Sequence, residues 1–168
     1  MKRICAWCKI EMESTHFEGH SGDITHGICA KCKEKILGLQ KIELMTFLDS
    51  LNVPIVVVNA MANAETANKA ARKILRKELP EIEGFAGGAV FECAYSMLPE
   101  GCGKTIHCSG CAIRNTVMDT FQSGNSHLEI QALLTQGTSD KNQEVNFLIS
   151  TEKVSDVVLL RIDKIGNA

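Results

Sequence analysis

Residues 53–71 read VPIVVVNAMANAETANKAA, and this stretch decides how most of the chain folds. Its β-branched run predicts a buried strand over Pro54–Asn59, because such side chains pack well on a pleated surface. Small and polar residues at 59–63 predict a turn, and Glu65–Ala67 predicts a short second strand. The stretch therefore predicts two neighbouring strands that enter a hydrophobic core.

Three helices are predicted around these strands. Asn68 has the position of an N-cap for a helix over Lys69–Leu79, which a proline then ends. Apolar residues at spacings of three and four predict an earlier helix over Lys33–Leu51. A later helix over Ala112–Gln122 is closed by the C-terminal signal Ser123-Gly124-Asn125.

The chain ends in three strand-like segments, His127–Thr135, Val145–Thr151 and Val154–Ile165. The polar sequence GTSDKNQ at 137–143 predicts a loop after the first segment, and a tight turn near Lys153 separates the other two. Alternating apolar and polar residues in the first segment are typical of a half-buried strand. These spacings favour successive antiparallel hairpins.

Length and composition limit the class of protein. The chain has 168 residues, of which 45% are hydrophobic and 23% charged, with a formal net charge of −2. This predicts a soluble protein of one domain, or of one domain with a small appendage, and excludes collagen-like, coiled-coil and disordered proteins. The longest apolar run, Val53–Val58, is far too short to span a membrane, and the N-terminus lacks the apolar segment of a secretory signal. We therefore expect a cytoplasmic protein.

Cysteine is the unusual component of this composition. Stable disulfides are rare in a reducing cytoplasm, so clustered thiols are better interpreted as metal ligands. The eight cysteines form two groups of four with none left over: Cys5, Cys8, Cys29 and Cys32, then Cys93, Cys102, Cys108 and Cys111. The division predicts two metal sites, each with four thiolates.

The first group has the spacing of a structural zinc site. Each CxxC pair turns two thiolates toward one ion, and two such pairs complete a tetrahedron. Zinc bound here would supply the folding energy that the few apolar residues of 1–36 cannot. The alternatives are a disulfide or a redox dithiol at Cys5 and Cys8. Histidines that lie between the pairs are expected to be loop residues, although each could replace a thiolate: His16, His20 and His26.

The second group spans a glycine-rich loop, 93–111, whose flexible backbone can turn four side chains inward. Cys108 and Cys111 directly precede the predicted helix at Ala112, whose positive end favours thiolate charge. Tetrahedral sulfur ligation suits zinc or an iron–sulfur cluster, and spacing does not separate the two. A metal-free redox thiol group and His107 as a substitute ligand are further alternatives.

From about Lys41 onward the chain resembles a PAS domain. The resemblance rests on Leu48–Leu51, the strand Pro54–Asn59, the Asn-x-Ala-Ala run in Ala67–Ala71, and the closing helix followed by three strands. It implies a five-stranded antiparallel sheet with helices on one face, and a cavity that in this family binds haem, flavin or a small metabolite. It also implies signalling by dimerisation.

Two further segments resemble parts of bacterial sensors. Glu100–Arg114 looks like a cysteine-bearing insertion found in a subset of bacterial PAS domains, and Ile4–Lys9 with His26–Cys32 resembles a small module beside sensor and regulator domains. The chain departs from the family at Asn59, where an acidic residue is common, and in the loop that takes the place of the usual helices. It also lacks the Asn-Cys-Arg core of flavin-reactive members, so no particular ligand is transferred.

The sequence thus predicts an α+β chain with a zinc-knuckle module at 1–36 and a PAS-like sensory domain at 37–168. We expect a bacterial signalling module that binds metal at both cysteine groups and is not an enzyme. Alternatives are an iron–sulfur redox or gas sensor at the second group, and a zinc-dependent nucleic-acid-binding regulator. Nucleic acid is not an expected partner, because only Lys31, Lys33 and Lys35 cluster.

The predicted partners are a second copy of the chain and a signalling protein. The helix over Lys33–Leu51 has more apolar residues than one face needs, and surplus apolar area marks partner surfaces. We therefore expect a homodimer that uses this helix and the outer face of the sheet. The sequence contains no output domain, so the signal would pass to a partner protein or to an output domain missing from this chain.

Overall fold

The computed structural model describes residues 2–5, 8–12, 24–27, 29–138 and 140–167. The chain divides into two compact units, Met1–Phe47 and Leu48–Ala168. The domain boundary that the sequence places after residue 36 lies inside a helix and remains a prediction. No helix in the described part of the chain has the length and apolar character needed to span a membrane.

The first unit contains a small sheet and most of a long helix. Strand β1 (Lys2–Cys5) pairs antiparallel with β2 (Glu11–Met12) and parallel with β3 (Ile24–Gly27). The sequence did not predict these strands, because two to four residues are too few for periodicity to appear. Helix α1 (Ala30–Ser50) is the helix predicted over 33–51, and it begins three residues earlier.

The second unit is built on a five-stranded antiparallel sheet. Its strands are β4 (Ile55–Val58), β5 (Ala64–Ala67), β6 (His127–Thr138), β7 (Lys141–Val154) and β8 (Val157–Asn167). They are ordered β5-β4-β8-β7-β6, and each neighbouring pair is antiparallel. All four residues of β4 are buried, as its β-branched run predicts. The sheet confirms the PAS-like fold class expected from the sequence.

The last three strands are longer than predicted. The segment 137–143, predicted as a loop, is instead a tight hairpin in which Gly137 pairs with Asn142 and Thr138 with Lys141. Gly137 has a φ of 138°, and a Cβ there would lie 2.0 Å from the carbonyl oxygen of Lys141. Only glycine therefore allows the strands to pair this close to the turn.

Asn68 joins three elements of the second unit and is fully buried. Its Oδ1 accepts the backbone N–H of Ala71 at 3.0 Å, which caps helix α2 (Lys69–Leu75), and that of Ile55 at 2.9 Å. Its Nδ2 donates to the carbonyl oxygens of Leu48 and Val53, both at 2.9 Å. The predicted N-cap therefore also fixes the end of α1 and the start of β4.

Helix α2 is shorter than the predicted 69–79. Arg76 adopts a left-handed conformation with a φ of 55°, and its N–H bonds the carbonyl of Arg72. The chain then forms a short 3₁₀ turn at Leu79–Glu81 that contains the proline. The left-handed residue ends the helix before the proline is reached, and the sequence has no glycine there to indicate it.

Two more α-helices pack on the inner face of the sheet. They are α3 (Gly87–Val90) and α4 (Ala112–Ser123), with short 3₁₀ helices at Ala94–Met97 and Ile106–Gly110 between them. Phe91 and Phe147 form an edge-to-face pair with ring centroids 5.5 Å apart. The hydroxyls of Thr120 and Thr151 are hydrogen-bonded at 2.7 Å, which joins α4 to β7 in the core.

Candidate metal centres

The first group of cysteines forms a compact thiol cluster. The sulfur atoms of Cys5, Cys8, Cys29 and Cys32 all lie within 4.8 Å of one another, and those of Cys8 and Cys29 are 3.7 Å apart. Zinc–sulfur bonds of about 2.3 Å place the sulfurs of a tetrahedral site about 3.8 Å apart. The cluster therefore has the dimensions of a site for a single tetrahedral ion.

The backbone of the first unit positions these thiols. Cys5 ends β1, and the N–H of Lys9, a residue with a φ of 62°, bonds its carbonyl at 3.0 Å to close a tight turn. Cys29 precedes α1 and Cys32 lies in its first turn. The backbone N–H of Cys29 donates to the Cys5 sulfur, and that of Cys32 to the Cys29 sulfur, both at 3.4 Å. Such N–H donors stabilise thiolate charge.

Crowding changes the acidity of this cluster. A hydrogen bond with Cys29, together with desolvation and the thiol of Cys8, raises the pKa of Cys32 to about 12. Without a cation Cys32 therefore holds its proton at neutral pH, and a metal ion that binds this thiol must displace it. Of the histidines between the two pairs, His16 and His20 lie outside the described residues, and only the backbone of His26 is described.

The second group of cysteines lines one cavity in the second unit. The cavity has a volume of about 120 Å³ and lies between the sheet and α4. Its walls include Val56 and Leu160 from the sheet and Ile113 and Val117 from α4. The four thiols that open onto it are half-buried: Cys93, Cys102, Cys108 and Cys111.

Two of these cysteines are fixed to opposite walls. Cys93 forms a β-bridge with Gln136 of β6. The side-chain Nε2 of Gln136 donates to the carbonyl oxygen of Phe91 at 2.7 Å. Cys111 is the N-cap of α4, and its sulfur accepts the backbone N–H of Arg114 at 3.5 Å. A group held by both thiols would therefore connect the edge of the sheet to the start of the helix.

Backbone N–H groups face all four sulfurs of the second group. Gly88 donates to Cys102 at 3.2 Å and Gly103 to Cys108 at 3.1 Å, in addition to the Arg114 bond to Cys111. The N–H groups of Tyr95 and Ser96 stabilise the Cys93 thiolate. Sequence reasoning missed these donors, although the glycines beside the cysteines gave the one available signal. At Gly88 a Cβ would lie 2.9 Å from the Cys102 sulfur, so only glycine brings its N–H this close.

The thiols of the second group differ in acidity. Burial raises the pKa of Cys93 and of Cys111, and the charges of neighbouring thiols in the group raise both further. Burial also acts on Cys108, but hydrogen bonds from Thr105 and from backbone N–H groups, with the Arg114 charge, lower its pKa. The group is therefore close enough for its charges to interact, and it requires a cation if all four are to ionise together.

The second group is less compact than the first. Among the described residues, the first group is the set of ligand side chains that comes together closely enough for one ion, and the second group does not form such a cluster. His107, the alternative ligand predicted from the sequence, lines the same cavity and stacks its ring on Tyr95 with centroids 3.7 Å apart. The four predicted ligands thus share one cavity but do not form a compact cluster like that of the first group.

Comparison with known proteins gives similarities of fold. No family model and no curated protein matches the chain. A domain of a sensory box sensor histidine kinase/response regulator from Geobacter sulfurreducens is 12% identical over 76% of this chain and 96% of its own, with a TM-score of 0.48.

Two further solved domains are similar at the same level. The photoactive yellow protein domain of the sensor histidine kinase Ppr from Rhodospirillum centenum is 13% identical over 71% of this chain and 92% of its own, with a TM-score of 0.44. The PAS domain of nitrogen regulation protein NR(II) from Vibrio parahaemolyticus is 10% identical over 74% and 96%, with a TM-score of 0.44. At these identities the similarity concerns the fold.

Proposed function

We propose that the chain is a non-catalytic sensory module that binds metal at both cysteine groups and whose input site is the cavity lined by the second group. The observation that supports this most is that Cys93, on the sheet side, and Cys111, at the start of α4, line the same cavity. A metal group held by both thiols changes how α4 is held against the sheet when it is gained, lost or altered. Gain or loss of metal in the cavity thus changes the position of α4 on the sheet.

The first group has a structural role in this proposal. Its compact cluster of four sulfurs has the size of a zinc site, and zinc has no redox chemistry and forms closed four-thiolate sites. Strands of two to four residues bury little apolar surface, so the ion supplies most of the folding energy of this region. Both groups require reduced thiols, which supports a cytoplasmic location.

The output passes by contact with a second copy of the chain or with a signalling partner. Exposed apolar side chains on α1 support this part of the proposal, because Ile42, Leu44 and Phe47 each leave half or more of their surface in water. Leu128 and Leu133 of β6 are similarly exposed on the edge strand of the sheet. We expect the homodimer to use α1 and the outer part of the sheet.

Hydrogen exchange combined with light scattering tests this function. Protein purified without oxygen is compared with protein whose metal has been removed by a chelator, and with a Cys93→Ser/Cys111→Ser variant. We expect both treatments to increase amide exchange in Ala112–Ser123 and to change the association state. Unchanged exchange in α4 and unchanged mass would contradict the sensory role. Cys8→Ser is the matched control for α4, whose exchange it should leave unchanged because it removes metal only from the first group.

A further inference from the structure

The second cysteine group has room for more than one ion, and this bears on what it binds. We infer that the cavity takes an iron–sulfur cluster ligated by Cys93, Cys102, Cys108 and Cys111, whereas the first group takes a single zinc ion. The inference rests on the proposed function, since it names the occupant of the proposed input site. Three observations carry it: the spacing of the sulfurs, the volume they enclose and the donors that surround them.

Sulfur spacing separates the two groups. A single tetrahedral ion with metal–sulfur bonds of about 2.3 Å holds its four sulfurs about 3.8 Å apart. The first group meets this condition, since its four sulfurs all lie within 4.8 Å of one another, whereas in the described part of the chain the second group does not form a cluster compact enough for one ion. An iron–sulfur cluster distributes its four cysteines over two or more iron atoms, so its thiolates are farther apart than those around one ion.

The volume of the cavity excludes the larger cofactors. Its volume is about 120 Å³. Sites for drug-sized ligands begin at about 300 Å³, so haem and flavin are too large. A lone ion would leave most of the space unfilled. A compact inorganic core of iron and sulfide is the class of cofactor that matches both the volume and the four thiols.

The surroundings supply what an anionic cluster needs. Backbone N–H groups face each of the four sulfurs, and hydrogen bonds to the sulfurs tune the potential and stability of such clusters. The Thr105 hydroxyl lies 3.2 Å from the Cys108 sulfur, and the Arg114 guanidinium packs against Gly103. These groups offset part of the negative charge that four thiolates bring.

Metal and sulfide analysis of the whole chain tests the inference. The protein is purified without oxygen, and iron, zinc and acid-labile sulfide are counted together with the visible and electron paramagnetic resonance spectra. We expect one zinc per chain and equal amounts of iron and sulfide, at two or more of each. Cys102→Ser/Cys108→Ser should lose the iron and sulfide but keep the zinc, and Cys8→Ser/Cys29→Ser should do the reverse.

A pair of glycine variants keeps the test valid if the cysteine variants fail to fold. At Gly88 a Cβ would lie 2.7 Å from the Cβ of Ser96 and 2.9 Å from the Cys102 sulfur, whereas at Gly110 it would meet nothing within 4 Å. Gly88→Ala should therefore lose its iron and sulfide about tenfold faster than wild type, the size of effect seen when groups around a metal ligand are disturbed. Gly110→Ala should match wild type.

The possible results separate the inference from the proposed function. Zinc, or iron without sulfide, at the second group would overturn the inference, and so would a second group that binds no metal. If a cluster is present but its removal leaves α4 and the association state unchanged, the inference stands and the sensory role fails. If another metal occupies the cavity and its removal alters α4, the sensory role stands and the inference fails.

Discussion

Each of the two cysteine groups has four thiols, but the surrounding structure that holds the thiols in place differs between the groups. In the first unit Cys5 ends a four-residue strand, Cys8 lies in a turn, and Cys29 and Cys32 lie at the start of a helix. In the second unit the thiols line a cavity inside a packed domain whose sheet and α4 are fixed independently of any metal. In the proposed function the first group therefore needs its ion to fold, while the second can change its occupant without losing the fold.

This difference suits the first group to a structural role and the second group to a sensing role. A metal that supplies the folding energy of its surroundings cannot leave without unfolding them, so it is unsuited to sensing. A metal group in a domain that is already stable can be gained, lost or oxidised while the rest of the domain persists. The fold around each group therefore indicates its role more clearly than the number of thiolates does.

Removing one ligand of the first group should have the largest effect. Cys8→Ser is expected to release one metal equivalent and to abolish amide protection around β1 and β3, because structural zinc contributes about 10–16 kcal/mol at neutral pH. Metal analysis and hydrogen exchange measure both changes. The second unit should remain folded.

The matched change in the second group is Cys102→Ser. It should release metal without altering protection around β1 or in the strands of the large sheet. If Cys8→Ser retains its full metal content, the first group has been assigned wrongly. If Cys102→Ser unfolds the large sheet, the contrast between the two groups disappears.

The second-largest effect should come from a residue that touches no metal site. Asn68→Ala removes four hydrogen bonds in the core and leaves buried N–H and carbonyl groups unpaired, so it should lower the free energy of unfolding by about 3 kcal/mol. Denaturant unfolding of the metal-free chain measures this. Asn68→Ser, which keeps a side-chain acceptor for the Ala71 N–H and adds no buried charge, should lose less. A loss from Asn68→Ala no larger than that from Asn68→Ser would show that the second unit is not stabilised as described.

Much of the large domain could be predicted from the sequence. The β-branched run of β4 and the N-cap at Asn68 are local signals, and the structure confirms both. The end of α2 could not be predicted, because Arg76 adopts a left-handed conformation that its residue type does not favour. The prediction of a loop at 137–143 is wrong, because its polar composition gives no sign of strand pairing. The close approach of the two paired strands there depends on Gly137.

The two candidate sites also differ in how far the sequence predicts them. Cysteine spacing predicted which thiols come together in the first group, because a CxxC pair is itself a local structure. In the second group the spacing of 8, 5 and 2 residues between ligands does not reveal how far apart the sulfurs are. That distance depends on Gln136 of β6 and on the start of α4, which are remote in sequence.

A smaller effect should come from a glycine in the loop that carries the second cysteine group. Gly103 and Gly101 both have positive φ, at 90° and 75°, so alanine brings comparable backbone strain at either position. Only at Gly103 would the Cβ meet a neighbour, the Arg114 guanidinium at 2.8 Å. Gly103→Ala should therefore destabilise metal binding at the second group by about 1–2 kcal/mol more than Gly101→Ala does. Metal competition titration measures this difference, and equal effects of the two variants would contradict it.

The smallest expected effect is a difference in thiol acidity between the groups in metal-free protein. Hydrogen bonds from Thr105 and Gly103 outweigh burial and lower the pKa of Cys108, whereas the neighbouring Cys29 raises that of Cys32 to about 12. As pH rises, Cys108 should become reactive toward an alkylating reagent at a lower pH than Cys32, because only the thiolate reacts.

The midpoint of each pH profile, followed by mass spectrometry, reports the pKa independently of access to the thiol. The lowered pKa of Cys108 also stabilises the metal-free fold at pH values above the ordinary thiol pKa, and this contribution is lost as pH falls through the lowered value. Thr105→Val should move the Cys108 midpoint upward, and Thr105→Ser, which keeps the hydroxyl, should leave it in place. If Cys108 and Cys32 titrate together, the two groups do not differ in acidity, and only the spacing of their sulfurs and their folds distinguish them.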